Sequence, residues 1–304
     1  MEVHFLSDLS IELKQILEKL GLSVPTSEEL REYDKRPNEL KDKIKNYDLN
    51  NLLLHFFTVN SRRVPIISWN VHISDKLSGR QEIIEIVNKL SNGDDVNNLT
   101  SKYVRKKNQS KYHYADLLRY EWGIYHLHFD KNGTDDLLFI YLKDGNAYLI
   151  DILPHEKRDN SVVTWTNTDL IQTMHDNWPE LIRPFIFNTD GLHDHHLTVE
   201  QRRTLRAKGA IANVIVSDGT EYIPLGGGFS SSLHPIDAIF QTDMLIHSVG
   251  QLQLAVENNH AEIEKLLLKY THTPILKLKL DSNFNPCVVE TSHNILLNFQ
   301  DSQD

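Results

Sequence analysis

The sequence predicts an α+β protein with an antiparallel meander sheet flanked by helices, followed by a second α+β unit that contains a hairpin and long helices. Two observations lead to this class. Three apolar segments of strand length follow one another over residues 124–153, joined by short connections, and segments with helical periodicity stand before and after them. The chain has 304 residues, of which 40% are hydrophobic, which is enough for more than one buried core.

The bulk composition excludes several classes of protein. The formal charge of −10 argues against a generic polyanion-binding surface, although a local basic patch can still exist. The single cysteine, Cys287, excludes an internal disulfide and a zinc site built from cysteines. We expect a cytoplasmic protein without a membrane partner, because no apolar run approaches 18 residues and the N-terminus lacks the features of a secretion signal.

Residues 1–110 are predicted to form a helical N-terminal region. The spacing of apolar residues predicts helices over 8–20 and 80–90. Residues 51–59 are apolar and short, and fit either a buried helix or a strand. The β-branched residues of 61–74 favour a strand, which Pro65 limits to a sheet edge or to an irregular segment.

Residues 111–186 are predicted to form an α+β core that begins with a helix over 114–122. Three strands follow, over residues 124–129, 137–142 and 147–153. Asp144-Gly145 is a strong signal for the turn of a hairpin, and the short connections predict an antiparallel meander. A helix over 166–181 completes the core, and Pro179 is expected to kink or end it.

Residues 187–304 are predicted to form the C-terminal α+β unit. A hairpin around Asp218-Gly219 and a helix pair over 236–270 are its main elements, with one strand over 274–280 and a polar tail after it. The run Gly226–Gly228 resembles a phosphate-binding loop but lacks the lysine and hydroxyl residue of a P-loop. It therefore favours a tight turn between a strand and a helix.

Four histidines mark the predicted core as the best candidate for chemistry: His113, His126, His128 and His155. Alternation along the first strand places His126 and His128 on one face. The first and third strands run in the same direction, so His155 should lie at the same sheet edge as His128. His113 could join them from the preceding helix.

Clustered imidazoles indicate a particular kind of reaction. Imidazole acts as both acid and base near neutral pH, which suits RNA cleavage, where the 2′-hydroxyl is the nucleophile and the protein moves protons. Lys106, Lys107 and Arg119 belong to a basic stretch that could contact RNA phosphates, and Tyr125 could stack on a base. The residues thus predict an endoribonuclease that needs neither a metal nor another cofactor.

The order of a helix, GIYHLHFD and LLFIYLKDGNAYLIDILPHEKRD resembles the core of RelE-type and ParE-type toxins. These toxins belong to a wider group of ribonucleases that share a barnase, EndoU, colicin and RelE fold. The resemblance covers roughly residues 112–158, about a sixth of the chain. It implies a toxin-like endoribonuclease of a bacterial or phage-defence system, with RNA as substrate and an antitoxin protein as partner. It also implies that His126, His128 and His155 lie on the catalytic face, although the family usually carries Arg or Lys at the first two positions.

Four alternatives stay open. The histidines could be ordinary polar residues of a half-exposed sheet, or they could shape the interface of a non-enzymatic binding or regulatory module. His126 and His128 also have a spacing known for metal ligands. Finally, the loop sequence His193–His196 with Asp190 suggests a metal-dependent hydrolase, although four contiguous residues cannot all face one ion on regular structure.

Overall fold

The computed structural model describes residues 3–32, 36–101, 116–155, 168–187, 197–230 and 234–298. Helices and mixed β-sheets are both prominent, so the predicted α+β class is confirmed. The chain folds as two compact units: residues 1–57 together with 238–304 form the first, and residues 58–237 form the second. These boundaries differ from the predicted divisions after residues 110 and 186, since the first unit is built from both ends of the chain.

The helices and strands of the described residues are numbered in chain order. The α-helices are α1 (Phe5–Lys19), α2 (Ser27–Glu32), α3 (Asn38–Lys41), α4 (Tyr47–Asn60), α5 (Ile84–Asn92), α6 (Leu117–Trp122), α7 (Asp169–Asn177), α8 (Pro179–Ile182), α9 (Val199–Ala207), α10 (Ile236–Asn258) and α11 (His260–Leu267). The strands are β1 (Asn70–Ile73), β2 (Ile124–His128), β3 (Asp136–Lys143), β4 (Asn146–Pro154), β5 (Val214–Ile215), β6 (Glu221–Tyr222), β7 (Leu276–Leu280), β8 (Pro286–Glu290) and β9 (Ile295–Leu297). Among these helices, none is both long enough and apolar enough to cross a membrane.

In the first unit, α1 packs against β7 of a three-stranded antiparallel sheet ordered β7-β8-β9. The buried face of α1 follows the predicted helical spacing: Phe5, Leu9, Leu13 and Leu17. Lys277 of β7 extends to the Asp8 carboxylate of α1 at 2.8 Å. The expected polar tail after residue 280 is wrong, because β8 pairs with β7, β9 pairs with β8, and Val288 of β8 is fully buried.

In the second unit, a four-stranded sheet has the order β1-β4-β3-β2. The predicted meander of β2, β3 and β4 is confirmed, and all its pairings are antiparallel. Asp144 and Gly145 have φ angles of 49° and 75°, as the two central residues of a type I′ hairpin turn require. β1 lies at the predicted edge but pairs in parallel with β4, so the complete sheet is mixed.

The two faces of this sheet are covered by different helices, and both are buried. On what we call the α7 face, Phe139 and Ile150 pack with Met174 of α7. On the α5 face, Leu138 and Leu149 pack with residues of α5 such as Leu90. The alternation of apolar residues on both faces explains the nearly continuous apolar sequence of β3.

Two elements assigned to the predicted C-terminal unit belong to different units in the structure. The hairpin of β5 and β6 lies in the second unit, whereas nearly all of α10 and the whole of α11 lie in the first. The hairpin strands have two residues each, which is shorter than the predicted strands over 210–216 and 220–225. Pro179 ends α7 as expected and occupies the first turn of α8, where its missing N–H has no cost.

Candidate functional site

His126 and His128 project from β2 onto the α7 face of the sheet. Their ring centroids are 6.4 Å apart, as the alternation along the strand predicts. β2 starts directly after α6, and Gly123 joins the two with a φ of 70°. A side chain at this position would be strained, and its Cβ would lie 2.9 Å from the Tyr141 ring. Gly123 thus allows the reversal that brings the histidine-bearing strand under α6.

His155 lies beside His128, as the strand directions predict. Its backbone N–H donates to the carbonyl oxygen of Asp135, which continues the pairing of β3 and β4 by one residue. The His128 and His155 ring centroids are 6.3 Å apart, and the planes are 19° from parallel. His155 is exposed, whereas His126 and His128 are half-buried. We call His126, His128 and His155 the histidine cluster.

A hydrogen bond from the loop between β2 and β3 orients the ring of His128. The backbone N–H of Thr134 donates to Nδ1 of His128 at 2.9 Å. An Nδ1 atom that accepts this bond cannot also carry a proton, so the neutral ring carries its proton on Nε2. His128 therefore presents an N–H donor at the ring atom that points away from Thr134.

His126 is the most shielded member of the cluster. Burial lowers its pKa below the ordinary value of 6.5; the Asp116 carboxylate raises the pKa, while Arg62 and His155 lower it. Nδ1 of His126 lies 3.6 Å from Oδ2 of Asp116. Because burial dominates, His126 is neutral at neutral pH, the form in which an imidazole accepts a proton.

Asp116 and Arg62 are site residues that the sequence did not reveal. Asp116 caps α6, since its Oδ1 accepts the backbone N–H of Arg119 at 3.1 Å while Oδ2 faces His126. Nε of Arg62 lies 4.0 Å from the same Oδ2. An aspartate before a helix is a recognisable capping signal, but only the fold shows that its second oxygen faces a histidine.

Arg119 and Tyr125, two of the predicted RNA-binding residues, contact each other. Tyr125 lies on the α5 face of the sheet, opposite to the face of its neighbour His126, and is buried there. The Arg119 guanidinium lies 4.2 Å from the Tyr125 ring centroid and donates to its hydroxyl at 2.9 Å. Nε of Arg119 donates to the carbonyl of Ser61 at 3.0 Å. The structure thus does not bring Tyr125 together with the histidines. Two N–H groups of Arg119 already donate hydrogen bonds to protein oxygens.

The remaining predicted site residues fall outside the described residues. They are His113, Lys106, Lys107 and the metal-binding candidates His193–His196. Within the described ranges, no group of three or more His, Cys, Asp or Glu side chains is placed to hold a metal ion.

The glycine run has a structural role that its sequence did not specify. The N–H groups of Gly226 and Gly228 donate to the carbonyls of Glu121 and Tyr120, each at 2.9 Å. They therefore satisfy carbonyls at the C-terminal end of α6, which a helix leaves without partners. A Cβ on Gly226 would lie 2.5 Å from the backbone N of Gly123. This run is a tight turn against α6, and these two N–H groups are not directed at a phosphate.

A second histidine contact lies on the same sheet face, between α7 and the β5–β6 hairpin. His175 Nδ1 is 2.7 Å from the Tyr222 hydroxyl, and its Nε2 is 3.3 Å from Oδ2 of Asp218. Tyr222 is only 1% exposed. The hydroxyl is thus shielded from a large substrate, and the three residues tie the hairpin to α7.

The histidine cluster contains the parts needed for acid–base chemistry: a shielded neutral imidazole, an oriented N–H donor and an exposed imidazole. A comparison of the chain with models of known protein families, with curated proteins and with solved structures gives no match. The assignment of function therefore depends on the geometry of the cluster and on its surroundings.

Proposed function

We propose that this protein is an endoribonuclease that cleaves RNA by histidine acid–base catalysis. The observation that carries the proposal is the row of three imidazoles, spaced 6.4 and 6.3 Å between ring centroids at one end of the sheet. An RNA phosphodiester already contains its nucleophile, the 2′-hydroxyl, so the protein needs only to remove one proton and supply another.

The environments of the three rings support a role for each. His126 is the proposed base and takes the proton of the 2′-hydroxyl; the 2′-oxygen then bonds to phosphorus as the bond to the 5′-oxygen breaks. Exposed His155, in its protonated form, gives a proton to the leaving 5′-oxygen. His128 lies between them and donates Nε2–H to a phosphate oxygen. The products are a 2′,3′-cyclic phosphate and a free 5′-hydroxyl, and the transferred protons balance.

The toxin-like part of the proposal extends from the resemblance over residues 112–158. In this extended proposal, the substrate is RNA, the protein acts in the cytoplasm, and its partner is an antitoxin protein. Growth arrest on induced expression, lost in His126→Ala and His155→Ala, would support a toxin. Normal growth with the wild-type protein at confirmed expression levels would remove this extension but leave the cleavage reaction standing.

The direct test is incubation of the purified protein with total RNA, with and without EDTA. We expect cleavage in both conditions, with rates lowered roughly 10²–10⁴-fold in His126→Ala and His155→Ala. His247→Ala, at an exposed site on α10, is the matched control and should cleave normally. Cleavage products should carry cyclic phosphate ends. Intact RNA with the wild-type protein would overturn the proposal, and loss of cleavage in EDTA would favour the metal-dependent alternative.

A second candidate function, protein binding without catalysis, is favoured by one face of α10. Phe240, Met244 and Leu254 are 63%, 69% and 52% exposed, at spacings that place them along one side of the helix. Large exposed apolar side chains in a row are typical of interfaces. If this face binds a second copy, sedimentation of the wild-type protein should show a dimer that Met244→Ser dissociates. A wild-type monomer at high concentration would remove this support.

A further inference from the structure

The second unit contains an arginine whose surroundings do not explain its position. The side chain of Arg62 is only 12% exposed, and its Nε is buried without a hydrogen-bond partner in the part of the chain that the structure describes. A buried N–H of a charged group that lacks an acceptor costs free energy, so such a group in a folded protein calls for a ligand or another explanation.

In two other arginines of the second unit, Nε donates to a protein oxygen. Arg119 donates to the Ser61 carbonyl and the Tyr125 hydroxyl. Nε of Arg206 donates to the Glu121 carboxylate at 3.0 Å. Among the described residues, Arg62 forms an ion pair with Asp116, but the distance of 4.0 Å from Nε to Oδ2 is too long for a hydrogen bond.

Asp116 also does not neutralise the surroundings of Arg62. The carboxylate carries one negative charge and is shared by the capped end of α6, by His126 and by Arg62. Arg62 and Arg119 contribute two positive charges to this region, since Nε of Arg119 donates to the carbonyl of Ser61, the residue directly before Arg62. Among the described residues, the balance of these three charged side chains therefore stays positive even when His126 is neutral, which favours an anionic ligand.

We propose that Arg62 binds an anionic phosphate oxygen beside His126. This inference rests on the proposed ribonuclease function for its biological meaning, because a phosphodiester held by Arg62 would lie next to the proposed base. The ligand chemistry itself is simpler: a phosphate oxygen that accepts a charge-assisted hydrogen bond from a guanidinium. Both an RNA backbone and free phosphate offer that group, so the test must separate them.

The test measures binding without cleavage. Isothermal titration calorimetry is done with inorganic phosphate in one arm and with a single-stranded DNA oligonucleotide in the other, since DNA lacks the 2′-hydroxyl. Arg62→Gln should weaken binding of the oligonucleotide roughly tenfold or more. The slope of the logarithm of the binding constant against the logarithm of the salt concentration should fall by the amount expected for about one phosphate contact. Arg183→Gln is the matched control, because Arg183 is exposed in the same unit and pairs only with Glu180 among the described residues. It should bind as the wild type does.

The two arms assign the source of the phosphate. Loss of oligonucleotide binding together with loss of phosphate binding identifies a site for a single phosphate group. Loss of oligonucleotide binding alone identifies a backbone contact that needs the rest of the strand. Wild-type affinity of Arg62→Gln for both ligands would overturn the inference.

A measurement on the wild-type protein covers the case in which Arg62→Gln does not fold. In the ¹⁵N-labelled protein, the Nε–H resonance of Arg62 should shift on addition of the oligonucleotide or of phosphate. No shift with either ligand at saturating concentration would overturn the inference. The two possible failures can be distinguished. If binding depends on Arg62 but the protein does not cleave RNA, only the nuclease proposal is rejected. If the protein cleaves RNA but binding does not depend on Arg62, only the inference about Arg62 is rejected.

Discussion

The backbone N–H of Thr134 donates a hydrogen bond to Nδ1 of His128 at 2.9 Å, so a main-chain group of the β2–β3 loop sets the tautomer of the central imidazole. A side chain fixed in this way is prepared before any substrate arrives. His128 is therefore the proposed fixed N–H donor, whereas exposed His155 is the proposed acid.

The tautomer of His128 can be checked directly. We expect long-range ¹H–¹⁵N NMR spectra near neutral pH to show Nδ1 without a proton and Nε2 with one. The Thr134 carbonyl lies 3.3 Å from the same Nδ1, so the opposite tautomer would donate to it instead. A protonated Nδ1 in the neutral ring would contradict the assignment and would leave His128 without the proposed Nε2–H donor.

The pH dependence of activity should report on His126. Asp116 raises the pKa of His126 against the larger effect of burial, so Asp116→Asn should lower this pKa further. The acidic limb of the pH–rate profile should then move to lower pH. Asparagine caps helices as well as aspartate does, so α6 should be preserved. An unchanged acidic limb would show that His126 is not the group that titrates there.

Stability should depend on pH through the same residue. The pKa of His126 is lowered by folding, so between the folded value and about 6.5 the unfolded chain binds more protons than the folded chain. The free energy of unfolding should therefore fall as pH drops below about 6.5. Urea unfolding of His126→Gln should show a weaker fall over this range than the wild type. An equal fall in both proteins would assign the dependence to other groups.

Gly226→Ala should destabilise the second unit because the added Cβ has no room. It would meet the Gly123 nitrogen and the Tyr120 carbonyl oxygen, both at 2.5 Å, and neither backbone atom can rotate away. We expect a loss of about 1–3 kcal/mol in urea unfolding. Gly250→Ala is the control: it lies within α10 with nothing within 4 Å of the new Cβ, and should be neutral or slightly stabilising. Wild-type stability of Gly226→Ala would contradict the tight turn.

The ion pair between Arg206 of α9 and Glu121 of α6 should be worth much more than a surface pair. Nε and Nη2 of Arg206 both donate to Oε2 of Glu121, and the side chains are 13% and 6% exposed. Arg206→Met leaves a buried carboxylate without its partner and should cost about 3–5 kcal/mol. Arg183→Met removes an exposed pair and should cost less than about 1 kcal/mol. Similar losses in the two variants would show that the buried pair has no special role.

The local features of the sheet were predictable from short stretches of sequence. The turn at Asp144-Gly145 follows from the ability of these residues to adopt positive φ angles. The shared face of His126 and His128 follows from the two-residue period of a strand. The position of His155 near His128 follows from the short connections, which leave only an antiparallel arrangement. Each of these signals is contained in at most a few dozen consecutive residues.

The tertiary structure alone decided the features that join distant segments. The parallel pairing of β1 with β4 and the first unit built from both chain ends join segments far apart in the sequence, and no local pattern specifies them. The same holds for Arg62, which reaches the Asp116 carboxylate from a segment more than fifty residues earlier. Backbone conformation and strand alternation are set by neighbouring residues, and the sequence therefore determined the strand that carries His126 and His128. Which charged groups surround those histidines depends on how separate segments pack together, and only the folded chain determines that.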